Sequence, residues 1–451
     1  MTRASVFTAP VFTAPVFAAP AFAAFAAAIC LGLLGCGDSL VDHNALGLGA
    51  PDGGNPDGGG CAAPSASSCG ADCAACAEIA NAAASCVNDA CVYECASGYL
   101  RTATGCSRAS AIAAGGDTTC AIVQAGEVRC WGANDHGQLG SSTAASLSRM
   151  PVHIVGISGA TSVVVGSSHA CALTPDGVRC WGANGSGQLG QAGADSAAPL
   201  SVGLPAGVQQ LAAGGRHSCA ATGSGVFCWG ANDLSQLGGS SLTKAVPDLT
   251  SLGGLAAGLD HTCAFIAPGG ELRCWGANGS GQLGGGSTST AEAQPAQPFG
   301  SGVTGIIAGS HHTCAIQATK MFCWGDGTLG QLGDRLRQSS SSPVEPGSVS
   351  GPGVIAAGGA HTCVAFAGGG GSSNLSCWGK NDSGQLGIGS TGLQTQPAKV
   401  SLTGVQAVAA GASHTCALID GAVSCWGAND KGQVGSGTGA QVLSPAMVTG
   451  K

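Results

Sequence analysis

The sequence predicts an all-β protein, a seven-bladed β-propeller preceded by a small disulfide-rich module. Three observations carry that expectation. All seven tryptophans, Trp131, Trp181, Trp229, Trp275, Trp324, Trp378 and Trp426, recur at intervals of 46 to 54 residues, and a fixed period is the mark of a repeat architecture. Each unit contains short apolar runs such as HACALTP and GVRCWG bounded by Gly, Asp, Pro and Ser, which is strand grammar, and none sustains helical periodicity. The 451 residues include 79 glycines but only 9% charged residues, a turn-rich composition in which three or four short strands per unit suit blades set around an axis.

The chain opens with Arg3 and an apolar stretch that ends in AFAAFAAAICLGLLGCGDS, the order of an export signal. Leu33-Leu34-Gly35-Cys36 resembles the bacterial lipoprotein box. The resemblance implies a lipoprotein-type signal peptide over residues 1–35 and a lipid on Cys36. An ordinary signal or an uncleaved anchor is the alternative, although an anchor needs about 20 strongly apolar residues. Asp38 resembles an inner-membrane retention signal, so inner and outer membrane both stay open. Residues 36–60 are rich in Gly, Pro and Asp; such a segment cannot bury a core and reads as a flexible tether.

Residues 61–106 hold eight cysteines, Cys61, Cys69, Cys73, Cys76, Cys86, Cys91, Cys95 and Cys106, and almost no large apolar residue. That density reads as a cysteine-rich module with disulfides of undetermined connectivity. Its end, CASGYLRTATGC, is weakly similar to an epidermal-growth-factor-like module. A zinc site at Cys73 and Cys76 is the lesser reading, since thiolates do not persist in an oxidising compartment.

From residue 110 to 449 the units share one plan: an apolar segment ending in Gly, then His-x-Cys-Ala, a turn, Cys-Trp-Gly, Asn-x-x-Gly-Gln-Leu-Gly, and an irregular stretch. The pattern VAAGxxHTCAL…CWGxNxxGQLG resembles the repeat of the regulator of chromosome condensation family, which implies a seven-bladed propeller. The AIAAG run from Ala111 and the SPAMV run to Val448 lead us to expect that the two chain ends share one blade.

In that arrangement the cysteines of each unit face each other on adjacent antiparallel strands, within disulfide reach. The pairs are Cys120 with Cys130, Cys171 with Cys180, Cys219 with Cys228, Cys263 with Cys274, Cys314 with Cys323, Cys363 with Cys377, and Cys416 with Cys425. Each closes a loop of about ten residues, worth roughly 2.7 kcal/mol by chain entropy, and so supports a fold whose aromatic content is only 4%. Metal binding by His-x-Cys and the second Cys is the disfavoured alternative. His169, His217, His261, His312, His361 and His414 occupy one repeat position, with Thr118 in the first unit. A catalytic histidine would be singular, so these read as packing elements. Asn184, Asn429 and the glycines that follow them suit backbone with positive φ, and each Trp has area to cover a neighbouring blade while its N–H finds a partner. Gly327, Ser235 and Val434 depart from the repeat without suggesting a site.

The net charge of −8 and the lack of a basic cluster exclude nucleic acid as a partner. The family's namesake promotes nucleotide exchange on a small nuclear GTPase and binds chromatin, which an exported chain without a basic tail does not fit. A plant photoreceptor of the family needs clustered tryptophans, absent here, while a secreted bacterial relative inhibits β-lactamases with one propeller face. The expectation is a monomeric, non-catalytic binding module without cofactor or metal, exported to the cell envelope or surface, presenting loops to a protein or a surface glycan. The rival is an enzyme built on Asp334, Arg335, Arg337 and Glu345, although solvated loop charge accounts for them as well.

Overall fold

A computed structural model describes residues 76–450, apart from 88, 89, 103, 142–144, 242–248, 250, 348 and 367–374. The signal segment, the tether, Cys36, Cys61, Cys69, Cys73 and the Gly-rich insert before Cys377 lie outside the described residues.

Short β-rich segments separated by turns form seven antiparallel sheets, one per repeat. Blade one runs Ala111–Gly115, Thr118–Ile122, Val128–Ala133 and Leu147–His153; blade seven runs Val405–Ala410, His414–Ile419, Ala422–Gly427 and Val442–Met447. Six blades have four described strands, and blade three has three, Val208–Ala213, His217–Thr222 and Gly225–Gly230. First strands of successive blades pack together, and that of blade seven packs against that of blade one, which closes the ring. The described repeats hold no α-helix, only a 3₁₀ turn at Gln124–Gly126.

The two ends do not share a blade. Val442–Met447 pairs with Ala422–Gly427 as the fourth strand of its own blade, so every sheet comes from contiguous sequence. The chain ends are clasped in another way. The cysteine-rich module forms a hairpin, Ala82–Val87 with Ala90–Cys95, and a short pair, Leu100–Arg101 with Cys106–Ser107. It is tied by Cys76–Cys91 and Cys95–Cys106, and Cys86 is also disulfide-bonded. The Cys95 N–H donates to the Gly450 carbonyl at 2.9 Å and the Ala109 N–H to the Gly421 carbonyl at 2.8 Å. The Arg108 guanidinium, stacked over Tyr99, bonds the Asp420 carbonyl. Leu100, 1% exposed, enters a cluster with Val123, Trp131, Val423 and Val448, where burying its side chain contributes about 2 kcal/mol. The module therefore covers the seam where the last blade meets the first.

Within each blade the second and third strands place the two cysteines directly opposite, as Cys171 and Cys180 show. Seven disulfides join them: Cys120–Cys130, Cys171–Cys180, Cys219–Cys228, Cys263–Cys274, Cys314–Cys323, Cys363–Cys377 and Cys416–Cys425. Their Cα atoms lie 4.0–4.1 Å apart, the close spacing of pairs that exchange no backbone hydrogen bonds. Between blades, each tryptophan is completely buried. The apolar clusters span neighbours, as when Cys171, Val178 and Leu189 of blade two pack on Leu211, Ala220 and Trp229 of blade three.

Candidate functional site

The repeated polar residues meet at the seams between blades. At the seam between blades three and four, the Trp275 indole N–H donates to the Gln236 carbonyl at 3.0 Å, and the Thr262 hydroxyl donates to the same oxygen at 2.9 Å. Thr262 thus has its proton committed, so it accepts from Nε2 of His217, 2.9 Å away. That order fixes the tautomer: Nε2 carries the hydrogen and Nδ1 is bare. Equivalent contacts to the next blade's hydroxyl join His261 to Thr313, His312 to Thr362, His361 to Thr415 and His414 to Thr119, all at 2.8–2.9 Å, and His169 to Ser218 at 2.7 Å.

The six rings are fully buried, and their Nδ1 atoms have no hydrogen-bond partner. Each lies against a glycine of the turn that precedes it. At Gly166 a Cβ would overlap the His169 ring and come within 2.5 Å of the Gly214 carbonyl on the next blade, so this close approach requires glycine. Burial disfavours the imidazolium. It lowers His169, His312 and His414 to about 4, and His217, His261 and His361 to about 3. These side chains are neutral joints.

The same turns line a cavity of about 170 Å³ on the axis, to which every blade contributes small residues such as Ala213, Gly214 and Gly215. A belt of backbone bonds surrounds it. Examples are Gly215 N–H to Leu259 carbonyl at 2.9 Å and Ala412 N–H to Gly116 carbonyl at 2.7 Å; among the described residues, such bonds cross every seam except that between blades one and two.

Asn184 and Asn429 are not at positive φ, unlike the glycines beside them, Gly187 and Gly432. Their side chains do the work: Asn184 Oδ1 accepts the Leu189 N–H at 3.1 Å and its Nδ2 donates to the Gln191 carbonyl at 3.0 Å. In blade five Gly327 lacks that side chain, and the neighbouring Asp326 instead accepts from Thr328 and Gln331. Ser235 does adopt positive φ, at 62°. Val434 is buried, and its N–H donates to Asn429 as Leu would.

The residues of the rival enzyme reading do not converge. Arg337 Nε donates to the Thr328 carbonyl in the loop after the third strand of blade five. Glu345 pairs with Lys320 at 2.8 Å at the opposite end of that blade. Asp334 caps the N–H of Leu336. Arg335 adopts φ 73°, where Gly286, Gly389 and Gly437 stand in blades four, six and seven. Among the described residues no three His, Cys, Asp or Glu side chains are placed to hold a metal. The turns between first and second strands and the loops after third strands emerge together as one loop face, whose non-repeated residues differ from blade to blade, as do the hairpins at the other end, where the paired cysteines lie 9 to 14 positions apart. The sequence pointed to variable loops but not to which end of the blades presents them, because the loop-face residues sit at unremarkable positions beside the repeated His and Asn.

Ring and joints define a seven-bladed β-propeller. Residues 125–173, 270–316 and 375–418 match the Regulator of chromosome condensation (RCC1) repeat, and residues 109–138, 160–188, 208–236, 254–282 and 405–433 match a second form of it. The chain belongs to the RCC1 repeat family. No curated protein matches it as a sequence. Among solved structures it is similar to human WBSCR16, at 23% identity and a TM-score of 0.63 over 71% of this chain and 93% of that one. It is also similar to Prp20p of Saccharomyces cerevisiae, studied for binding to Gsp1p and histones, at 23% identity and a TM-score of 0.61 over 76% and 87% of the two chains. Yeast RCC1 (Prp20) in complex with Kap60 gives 22% identity and a TM-score of 0.61 over 78% and 85%. At such identities the likeness is one of fold.

Proposed function

We propose that this protein is a non-catalytic binding module of the cell envelope, exported, lipid-anchored through Cys36, and presenting its loop face to a protein partner. One observation carries the reading: the repeated His, Thr and Trp side chains and the Gln main-chain carbonyls are engaged in joints between blades, which leaves the variable loops to make contacts outward. Seven blade disulfides suit an oxidising compartment. Among the described residues no helix is long and apolar enough to cross a membrane, and a lipid on Cys36 followed by a tether meets the need for attachment. Prp20p provides a precedent for protein partners on this fold. Exchange on a GTPase, by contrast, belongs to a reducing compartment in which these disulfides would not be kept.

The test places a photo-crosslinking residue at Gly185 on the loop face or at Asp176 on the hairpin face of the full chain in its native envelope. A discrete adduct from Gly185 alone is expected. Equal labelling from both faces, no adduct from either, or substrate turnover by the purified protein defeats the reading. Cys36→Ser is expected to release the protein from the membrane fraction.

A further inference from the structure

Strand polarity sorts the charge of the propeller between its two ends. At the hairpin end, Glu127, Asp176, Glu271 and Glu345 each face a cation of the same blade, Arg129, Arg179, Arg273 and Lys320, at 2.7–3.8 Å. That end is locally balanced. The loop end is not. The position just before the repeated His carries Asp117 and Asp260, the position just after the repeated Asn carries Asp135, Asp233, Asp382 and Asp430, and blade five adds Asp326. Among the described residues, Asp195, Glu292 and Asp334 bring the carboxylates at this end to ten against six fixed cations, Arg149, Arg216, Arg335, Arg337, Lys380 and Lys431, of which Arg216 and Lys380 are already bonded to Asp233 and Asp382. Crowding is felt at Asp117, whose carboxyl is pushed up by burial and by Asp430 and Asp135, with Lys431 opposing in part.

A second, independent feature lies on the same face. A cavity of about 450 Å³ opens where blades three, four and five meet, and Leu234, Asp260, Ala277, Thr288 and His311 are among its lining residues. Asp260 is held there by a hydrogen bond from Gln236 Nε2 at 3.2 Å. Leu234 and Ala277 offer an apolar wall to a methylene stem, and Asp260 offers a carboxylate to a cationic head, the combination a lysine or arginine side chain requires.

We propose that the loop face, from Asp430 and Asp135 at the seam of blades seven and one to the Asp260 cavity, docks a lysine- and arginine-rich segment of a protein partner. This rests on the binding-module reading above and gives the partner its chemistry. Among the described residues the carboxylates are spread over the loop face rather than gathered into a chelating set, which suits an extended polycation and not a single metal ion. Their sign excludes an anionic membrane or a nucleic acid on this face.

The test uses the full chain and a fluorescein-labelled Gly-Ser peptide carrying spaced lysines, read by anisotropy at roughly 50 and 300 mM salt. Binding at low salt that weakens at least about fivefold at high salt is expected, since such contacts are screened. Asp260→Asn and the pair Asp135→Asn with Asp430→Asn each weaken it by about fivefold or more, while Glu345→Gln on the hairpin face leaves it within about twofold. Asp135 and Asp430 are exposed, so their variants fold even where Asp260→Asn does not. No binding at low salt, or equal losses from both faces, overturns the proposal. If a variant with all three Asn substitutions still forms the Gly185 crosslink, the module reading stands and the charge assignment falls.

Discussion

The seams between blades three and four and between blades one and two are built from the same repeat, yet only the first carries the histidine–hydroxyl link. At the first, His217, Thr262, Trp275 and the Gln236 carbonyl form a closed polar chain. At the second, Thr118 stands in place of the histidine and Ala170 in place of the hydroxyl. The Thr118 hydroxyl turns back to the Ala133 carbonyl of its own blade at 3.3 Å, and the Gln138 carbonyl keeps Trp181 at 2.9 Å. Apolar packing is common to both seams, with Ile122, Ile154, Val163 and Val165 at this one and Val226, Leu237, Leu249 and Leu255 at the other. Both members of the polar joint are missing together, and the reason is energetic. An imidazole facing a methyl group would leave both ring nitrogens unpaired in the interior, and a buried polar atom without a partner costs about 1–3 kcal/mol.

Acid separates the two kinds of seam most strongly. The six histidines are held below their unfolded value near 6.5, at about 3 to 4. Over that window the unfolded chain binds more protons than the folded one, so stability is complete above pH 6.5 and falls as the pH drops toward 4. Each histidine contributes a slope of up to about 1.4 kcal/mol per pH unit. Denaturant midpoints measured between pH 7 and 4.5 should fall steeply, with proton uptake approaching six on unfolding. A flat profile would remove the neutral joints from the account.

Single substitutions sharpen the contrast. His217→Ala leaves a cavity and deprives Thr262 of its donor, and is expected to cost about 3 kcal/mol. Thr118→Ala removes only a bond within one blade and should cost about 1 kcal/mol or less. Equal losses in urea titrations would mean that the seams are not distinct. The smallest effect belongs to Arg335→Gly, which relieves positive φ outside any joint and should raise stability by roughly 0.5–1 kcal/mol without changing the acid profile.

The fold class was legible because local signals agree in every unit: strand-length apolar runs, turn residues between them, and one tryptophan per period. The joints were legible only as a set of residue types. His217 and Thr262 are separated by 45 positions, and His414 meets Thr119 across 295, so no local pattern names the partner. The charge cluster around Arg335 looked like a site because its residues are close in sequence, but antiparallel strands send Glu345 to the far end of the blade.

The sequence by itself determined the number of blades, the strands within each, and which residue types fill the seams, because repetition puts like residues in like surroundings. The tertiary structure alone decided how the ring closes. It placed Ser444 to Met447 within the last blade, set Leu100 of the cysteine-rich module under the final seam, and gave Asn184 a side-chain rather than a backbone role. Each of those outcomes depends on surfaces that meet only after the wheel is assembled, and burial at such meetings is fixed by shape and not by any neighbour along the chain.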